Sequence, residues 1–146
     1  MSYTDSWTTP LDFFKLLNDE FSFDLDPCAT PENAKCKAFY TEYDDGLTQM
    51  WWGRVFVNPP YSRITEWLVK CWNAACNEAK IVVALVPSKT DTAWWHDLAM
   101  RADEIRFVRG RLRFGGSKEN APFPSAVLIY DRTRQGFTVV KSMERR

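Results

Sequence analysis

The sequence predicts one α/β domain, a mostly parallel sheet with helices on both faces, reduced in size. Three observations predict it. Segments of helical spacing alternate with strand-like segments along the chain. The segment "KIVVALVPS" is a continuous apolar run, as expected of a strand buried on both sides in a parallel sheet. The length, 146 residues, suits a single domain, 1–146, with a real core and no separate recognition domain.

The elements follow in order. "TTPLDFFKLLNDEF" reads as a helix, with Thr9 as N-cap, Pro10 at the first helical position and Asp12 where a capping-box acid sits. Phe13, Phe14, Leu17 and Phe21 recur on one face of it. "FDLDPCA" is a short strand ended by Pro27, and residues 28–50 are irregular. "GRVFV" is a strand. "SRITEWLVKCWNAACNEA" is a helix, with Ile64, Trp67, Leu68, Cys71, Trp72 and Ala75 marking one face. After "KIVVALVPS", "DTAWWHDLAMRA" reads as another helix, with Trp94 and Trp95 as packing residues. "EIRFVRGRLRF" and "SAVLIYD" are strands, and "GFTVVK" is a last edge strand.

Composition narrows the function. No stretch approaches the roughly 20 apolar residues of a membrane span, and the N-terminus lacks a charged-then-apolar signal, so a cytoplasmic location is expected. The four cysteines do not form paired C-x-x-C and His96 is the only histidine, so no metal site is expected. Aromatic residues make up 15%, with seven Trp, enough for some rings to stack on a flat ligand as well as fill the core. Charge is segregated. Residues 1–60 hold four Lys and Arg against ten Asp and Glu, whereas residues 101–146 hold eleven against five. A basic C-terminal part beside an acidic half suits a polyanionic partner.

The stretch "VFVNPPY" carries the chemistry. Each proline fixes its own φ and keeps the preceding residue out of helical geometry, so Asn58 and Tyr61 sit on a stiff, extended loop. In α/β sheets, ligands bind outside the carboxyl ends of the strands, where this loop falls. The loop offers an amide side chain, a fixed Pro59 carbonyl and an aromatic face. A planar heterocycle bearing an amino group fits that array. Its ring stacks on Tyr61 while its amine donates to the Asn58 oxygen and the Pro59 carbonyl. Two acceptors on a delocalised amine favour a more tetrahedral nitrogen and disperse charge that develops as it attacks. No strong base is needed, and orientation of an activated methyl does much of the rest.

At these residues the chain resembles the S-adenosylmethionine-dependent amino-methyltransferases acting on DNA, in particular the short, phage-encoded Dam-type adenine-N6 methyltransferases. The resemblance spans about residues 6–130. It rests on "WTTPLDFFKLLNDEFSFDLDPCATPENAKC", "YTEYDDGL", "VFVNPPYS", "VPSKTDTAWWH" and "RLRFGG…APFPSAVLI" in that order. "NPPY" alone is shared with methyltransferases of other substrates. The resemblance implies a Rossmann-like methyltransferase fold, with S-adenosylmethionine as cofactor and a flipped adenine in DNA as substrate. Asn58 and Pro59 would accept from adenine N6, Pro60 would stiffen the loop and Tyr61 would stack the base. Trp7, Thr9 and Pro10 of "WTTP", Asp26, Pro27 and Cys28 of "DPCA", and Asp44 or Asp45 of "DDGL" would hold the cofactor, with Asn58 beside it. One departure stands out: many relatives follow the first strand with a Gly-rich turn, where this chain has Pro27-Cys28-Ala29-Thr30-Pro31.

DNA contacts are expected from Ser62 and Arg63, from Lys89, and from Arg109, Arg111, Arg113, Phe114 and Lys118 in a segment that also holds two adjacent glycines. Cations there would meet phosphates and an Arg could read guanine. The reader of sequence would be the loops around 87–95 and 109–124. The name of the group suggests GATC, although no residue assigns it, and relaxed specificity is the alternative. Phage enzymes of this kind mark their DNA, which implies evasion of host restriction. Two other readings remain open on the residues: methylation of another planar amine, such as cytosine N4 or a protein glutamine, and a non-catalytic nucleic-acid-binding protein of the same fold.

Overall fold

A computed structural model describes residues 7–115 and 117–146; Gly116, one of the two adjacent glycines, lies outside the described residues. In chain order the elements are α1 (Leu11–Phe21), β1 (Leu25–Asp26), β2 (Ala38–Phe39), β3 (Arg54–Val57), α2 (Ile64–Asn77), β4 (Ile81–Pro87), α3 (Ala93–Asp97), β5 (Glu104–Val108), β6 (Ser125–Tyr130) and β7 (Val139–Met143). The seven strands form one sheet in the order β2-β1-β3-β4-β6-β5-β7. Pairing is parallel throughout except on both sides of β6, which runs antiparallel to β4 and β5. The result is a Rossmann-like sheet with helices on both faces.

The strand alternation separates two cores. Ile81, Val83 and Leu85 of β4, with Phe56, Val127 and Ile129, face the α1 residues Phe13, Phe14, Leu17 and Phe21. Val82, Ala84 and Val86, with Val55, Val57 and Leu128, face Trp67, Leu68, Cys71 and Ala75 of α2 and Trp95 of α3. All seven β4 residues are buried, as a strand shared by two cores requires.

The strand directions gather the chemistry on one rim. Because β6 is antiparallel to both neighbours, β5 points the same way as β4, and β7 is parallel to β5. The carboxyl ends of β1, β3, β4, β5 and β7 therefore share one edge of the sheet.

Local readings change in four places. Pro10, not Thr9, takes the N-cap position of α1, with no side-chain cap; the Thr9 hydroxyl accepts from Asn58 instead. The strand expected over 104–114 stops at Val108, because Gly110 turns the chain with φ +77°. The helix expected over 91–102 breaks after Asp97 into a 3-10 turn at Ala99–Arg101. The Leu98 carbonyl accepts from the Tyr130 hydroxyl at 2.8 Å and from Arg101 N–H at 3.1 Å. β2 lies inside the segment read as irregular, where two residues are too few for a periodic signal.

Candidate active site

Asn58 follows directly on β3 and is 7% exposed. Its amide nitrogen donates to the Trp7 carbonyl and, at 3.1 Å, to Thr9 Oγ1. A carbonyl can only accept, so the amide must turn its nitrogen towards Trp7, and this assigns Oδ1 to the other side. Among the described residues, that buried oxygen has no hydrogen-bond partner. The Tyr61 hydroxyl, Ser88 Oγ and Ser125 Oγ share this state, and all four atoms belong to the rim described above. Buried polar atoms are rarely left unpaired, and a row of them at one sheet edge marks a place prepared for a polar ligand.

Pro59 and Pro60 are buried and rigidify the step from strand to turn. The Pro60 carbonyl accepts from Arg63 N–H at 3.0 Å and closes the 3-10 turn Tyr61–Arg63. No described residue donates to the Pro59 carbonyl. Tyr61 is half-buried with its ring edge-on to Phe123 at 5.5 Å, and burial pushes its phenol well above the ordinary tyrosine range. Phe123 also meets Trp7 at 5.5 Å and Phe114 at 5.9 Å. One ring thus joins the Tyr61 turn to the Trp7–Thr9 segment. The sequence reading missed Phe123; its flanking Pro122 and Pro124 were the available signal for a fixed side chain.

Beside Asn58 lies a groove. Its inner recess encloses about 20 Å³ between Trp7, Thr9, Asp26, Lys35, Phe56 and Asn58. Its outer part, past Thr8, Pro10, Glu32 and Asn33, encloses about 530 Å³. Asp26 ends β1 and is 4% exposed. Its Oδ2 accepts from Lys35 N–H at 3.0 Å and its Oδ1 from Cys28 N–H at 3.3 Å. Burial raises its carboxyl to about 7, against the opposing pull of those two N–H groups and the Lys35 charge. Asp26 therefore folds the Pro27–Pro31 turn around itself while facing the groove. Pro27 and Cys28 are buried with it. Asn33 and Lys35, absent from the sequence-predicted set, line the same groove.

The two other acids stand apart from that recess. Asp44 Oδ2 accepts from Thr41 N–H at 2.8 Å and from Thr41 Oγ1 at 3.1 Å. Asp45 is exposed, with φ +57°, and its Oδ1 accepts from Leu47 N–H at 3.2 Å. Gly46 brings this loop against the β1 loop: a Cβ there would lie 2.1 Å from the Pro27 carbonyl oxygen.

The cations expected to meet DNA are dispersed along the rim. Ser62 and Lys89 are exposed. Arg63 pairs with Glu66 at 2.6 Å, so part of its guanidinium is already engaged. Arg109, Arg111, Arg113 and Lys118 are exposed. Phe114 corrects its expectation as a DNA contact: it is 2% exposed and packs in the α1-side core against Trp7 and Phe123. With Leu112 it anchors the segment that holds the arginines out to solvent.

Chemically, the rim presents a fixed, unpaired amide oxygen, an adjacent ring and a buried carboxylate near neutrality, with no catalytic base at hydrogen-bond distance from Asn58 Oδ1 among the described residues. It can receive an amine that donates rather than one that must first be deprotonated.

Comparisons agree with this chemistry. The sequence model of a family described as DNA N-6-adenine-methyltransferase (Dam) matches residues 1–146. A DNA N-6-adenine-methyltransferase of Escherichia phage T1 is 32% identical over 112 residues, 74% of this chain and 46% of that protein. One of Haemophilus phage HP1 is 34% identical over 107 residues, 71% of this chain and 62% of that protein. The matched region thus spans about half to three-fifths of the length of these relatives.

Proposed function

The chain belongs to the Dam family of DNA N-6-adenine-methyltransferases, and on that premise we propose that it transfers a methyl group from S-adenosylmethionine to the N6 amine of adenine in DNA. The observation that carries this reading is the buried, unpaired Oδ1 of Asn58 beside the Tyr61 ring. A target adenine leaves the duplex to reach it, at a cost of a few kcal/mol.

When bound, S-adenosylmethionine supplies an electrophilic methyl on a sulfonium. The residues present suit such a ligand. Asp26 sets a carboxylate against a group that carries positive charge, while Trp7, Thr9 and Pro10 form the facing wall with an outer groove of about 530 Å³ beside them. Asp45, or its neighbour Asp44, meets the adenosine end from the β2 loop. The inner recess is about one water in size, so the bulk of the ligand would lie in the outer groove. Asn58 Oδ1 accepts one N6 proton and the Pro59 carbonyl the other. Tyr61 holds the ring in plane, and the amine releases its proton to solvent once the new bond has formed.

Incubation with labelled S-adenosylmethionine and unmethylated duplex DNA, followed by digestion to nucleosides, tests the proposal. N6-methyladenine is the expected product; N4-methylcytosine, or no DNA product with cofactor demonstrably bound, would overturn it. Asn58→Ala should lower kcat by on the order of 10²–10³, the loss seen when one preorganised polar group at a reacting centre is removed. The variant also loses the Nδ2 bonds to the Trp7 carbonyl and Thr9 Oγ1, so its thermal midpoint should fall modestly while the protein stays folded.

A further inference from the structure

The C-terminal strand has a consequence for substrate binding. β7 runs parallel to β5, in register from Glu104↔Val139 to Val108↔Met143, and Arg109 N–H continues the ladder to the Met143 carbonyl at 2.8 Å. The residues that follow, 144–146, are thereby delivered to the same rim as Asn58. There Arg145 and Arg146 share a cleft with Arg111, Leu112, Arg113 and Asn120. Arg145 Nη1 donates to the Arg111 carbonyl at 3.0 Å, and its guanidinium lies over Gly110, where a Cβ would approach it to 3.0 Å. Gly110, with φ +77°, is the residue that lets this close approach occur.

The product is a cleft of about 440 Å³ whose walls include Arg111, Arg113, Arg145, Arg146 and Asn120, and among the described residues that line it Asp12 of α1 is the only carboxylate side chain. Asp12 is partly occupied, since its Oδ1 accepts Phe13 N–H at 2.8 Å. Pro10 forms part of the same wall, and Pro10 also borders the groove beside Asn58. The cleft is thus continuous with the reactive rim through the start of α1. Arginine has five in-plane donors, and Arg145 uses one of them internally, so N–H groups at the edge of its fork remain for an anion.

We infer that this cleft is a phosphate-binding track for the DNA strand beside the flipped base, with Arg145 and Arg146 as contacts added to Arg111 and Arg113. This rests on the proposed DNA-methylating reading. The four cations converge where strand β7 and the Gly110 turn place them. Arg145, held on the Arg111 carbonyl, and Arg111, held on the Ala121 carbonyl at 3.3 Å, are the pre-positioned members, and Asn120 offers a neutral donor to the same anion.

The test is a titration of the full chain with a fluorescein-labelled unmethylated duplex, read by anisotropy at several salt concentrations. Neutralising a phosphate releases counterions, so log K falls with log salt at a slope of about −0.9 per contact. Arg145→Ala with Arg146→Ala should flatten that slope by about two contacts' worth, and Arg145→Lys with Arg146→Lys should largely restore it. S-adenosylmethionine binding by calorimetry and the melting temperature should stay at wild-type values. An unchanged slope in the double alanine variant overturns the proposal, as does a loss shared with cofactor binding and melting, which would make the arginines structural. N6-methyladenine formation by the wild type separates the two levels: methylation with an unchanged variant slope removes only the cleft, whereas absent methylation and absent salt-dependent DNA binding remove both.

Discussion

At the residue scale, Asn58 was the most legible part of the site and Thr9 the least faithfully read. "NPPY" encodes a stiff loop because proline geometry is local. Thr9 reads equally well as a helix cap or as an acceptor for a residue 49 positions away, and nothing local separates those uses. Asp26 brings its own prediction. Its carboxyl is raised from 3.8 to about 7 by burial, so the folded protein holds this proton more tightly than the unfolded chain. Its contribution favours folding fully below about pH 4 and is lost progressively as pH rises to about 7. Asp26→Asn should remove this dependence. Urea midpoints of wild type should fall between about pH 4 and about pH 7 through this group, and that part of the fall should be missing in the variant. An equal fall in both proteins would mean that Asp26 is ionised throughout.

Among the elements, strands and long helices were legible where burial is periodic. α1 and α2 each present one apolar face, and β4 is apolar throughout because two cores share it. Outside "NPPY", loops were not legible, since their contacts are distant in sequence. Phe123 touches Tyr61 and Trp7, and neither partner is near it along the chain. The docking of the β2 loop on the β1 loop is similar. It depends on Gly46, where a Cβ would lie 2.1 Å from the Pro27 carbonyl and 3.0 Å from the Trp67 ring. Backbone on one side and a buried tryptophan on the other leave little room to yield. Gly46→Ala should therefore cost about 2 kcal/mol of stability, in the range of overpacked core sites. It should also weaken cofactor binding measured by calorimetry, because it parts the loops that carry Asp26 and Asp45. A variant with wild-type urea midpoint and affinity would show that the two loops can separate freely.

For the whole molecule, one ionic network ties the sheet's far half to α1. Glu104 of β5 is 1% exposed; it pairs with Arg106, with Arg134 at 2.6 Å and with Lys141 of β7 at 3.8 Å. Arg106 reaches Glu20 of α1 at 2.7 Å. Burial alone would raise the Glu104 carboxyl, but the Arg134 and Arg106 guanidiniums outweigh it and hold it below the ordinary range. The sequence shows these only as scattered charges. Removing one partner of such a buried set strands the others, so Glu104→Ala should cost about 3 kcal/mol in urea unfolding. Added salt should change the wild-type midpoint little, since buried pairs are weakly screened. A loss below about 0.5 kcal/mol would place the network among ordinary surface pairs.

The direction of α2 also makes the molecule easy to attach to a surface. The helix starts at the reactive rim, after Tyr61, and ends at the opposite rim, where Lys80 N–H bonds the Gly53 carbonyl ahead of β3. Cys76 sits in its last turn and is exposed, whereas Cys28 and Cys71 are buried and burial pushes the Cys36 thiol up to about 12. A maleimide dye or tether should therefore couple at one position, on the rim opposite Asn58. A single immobilised molecule would then keep its working edge facing the solution.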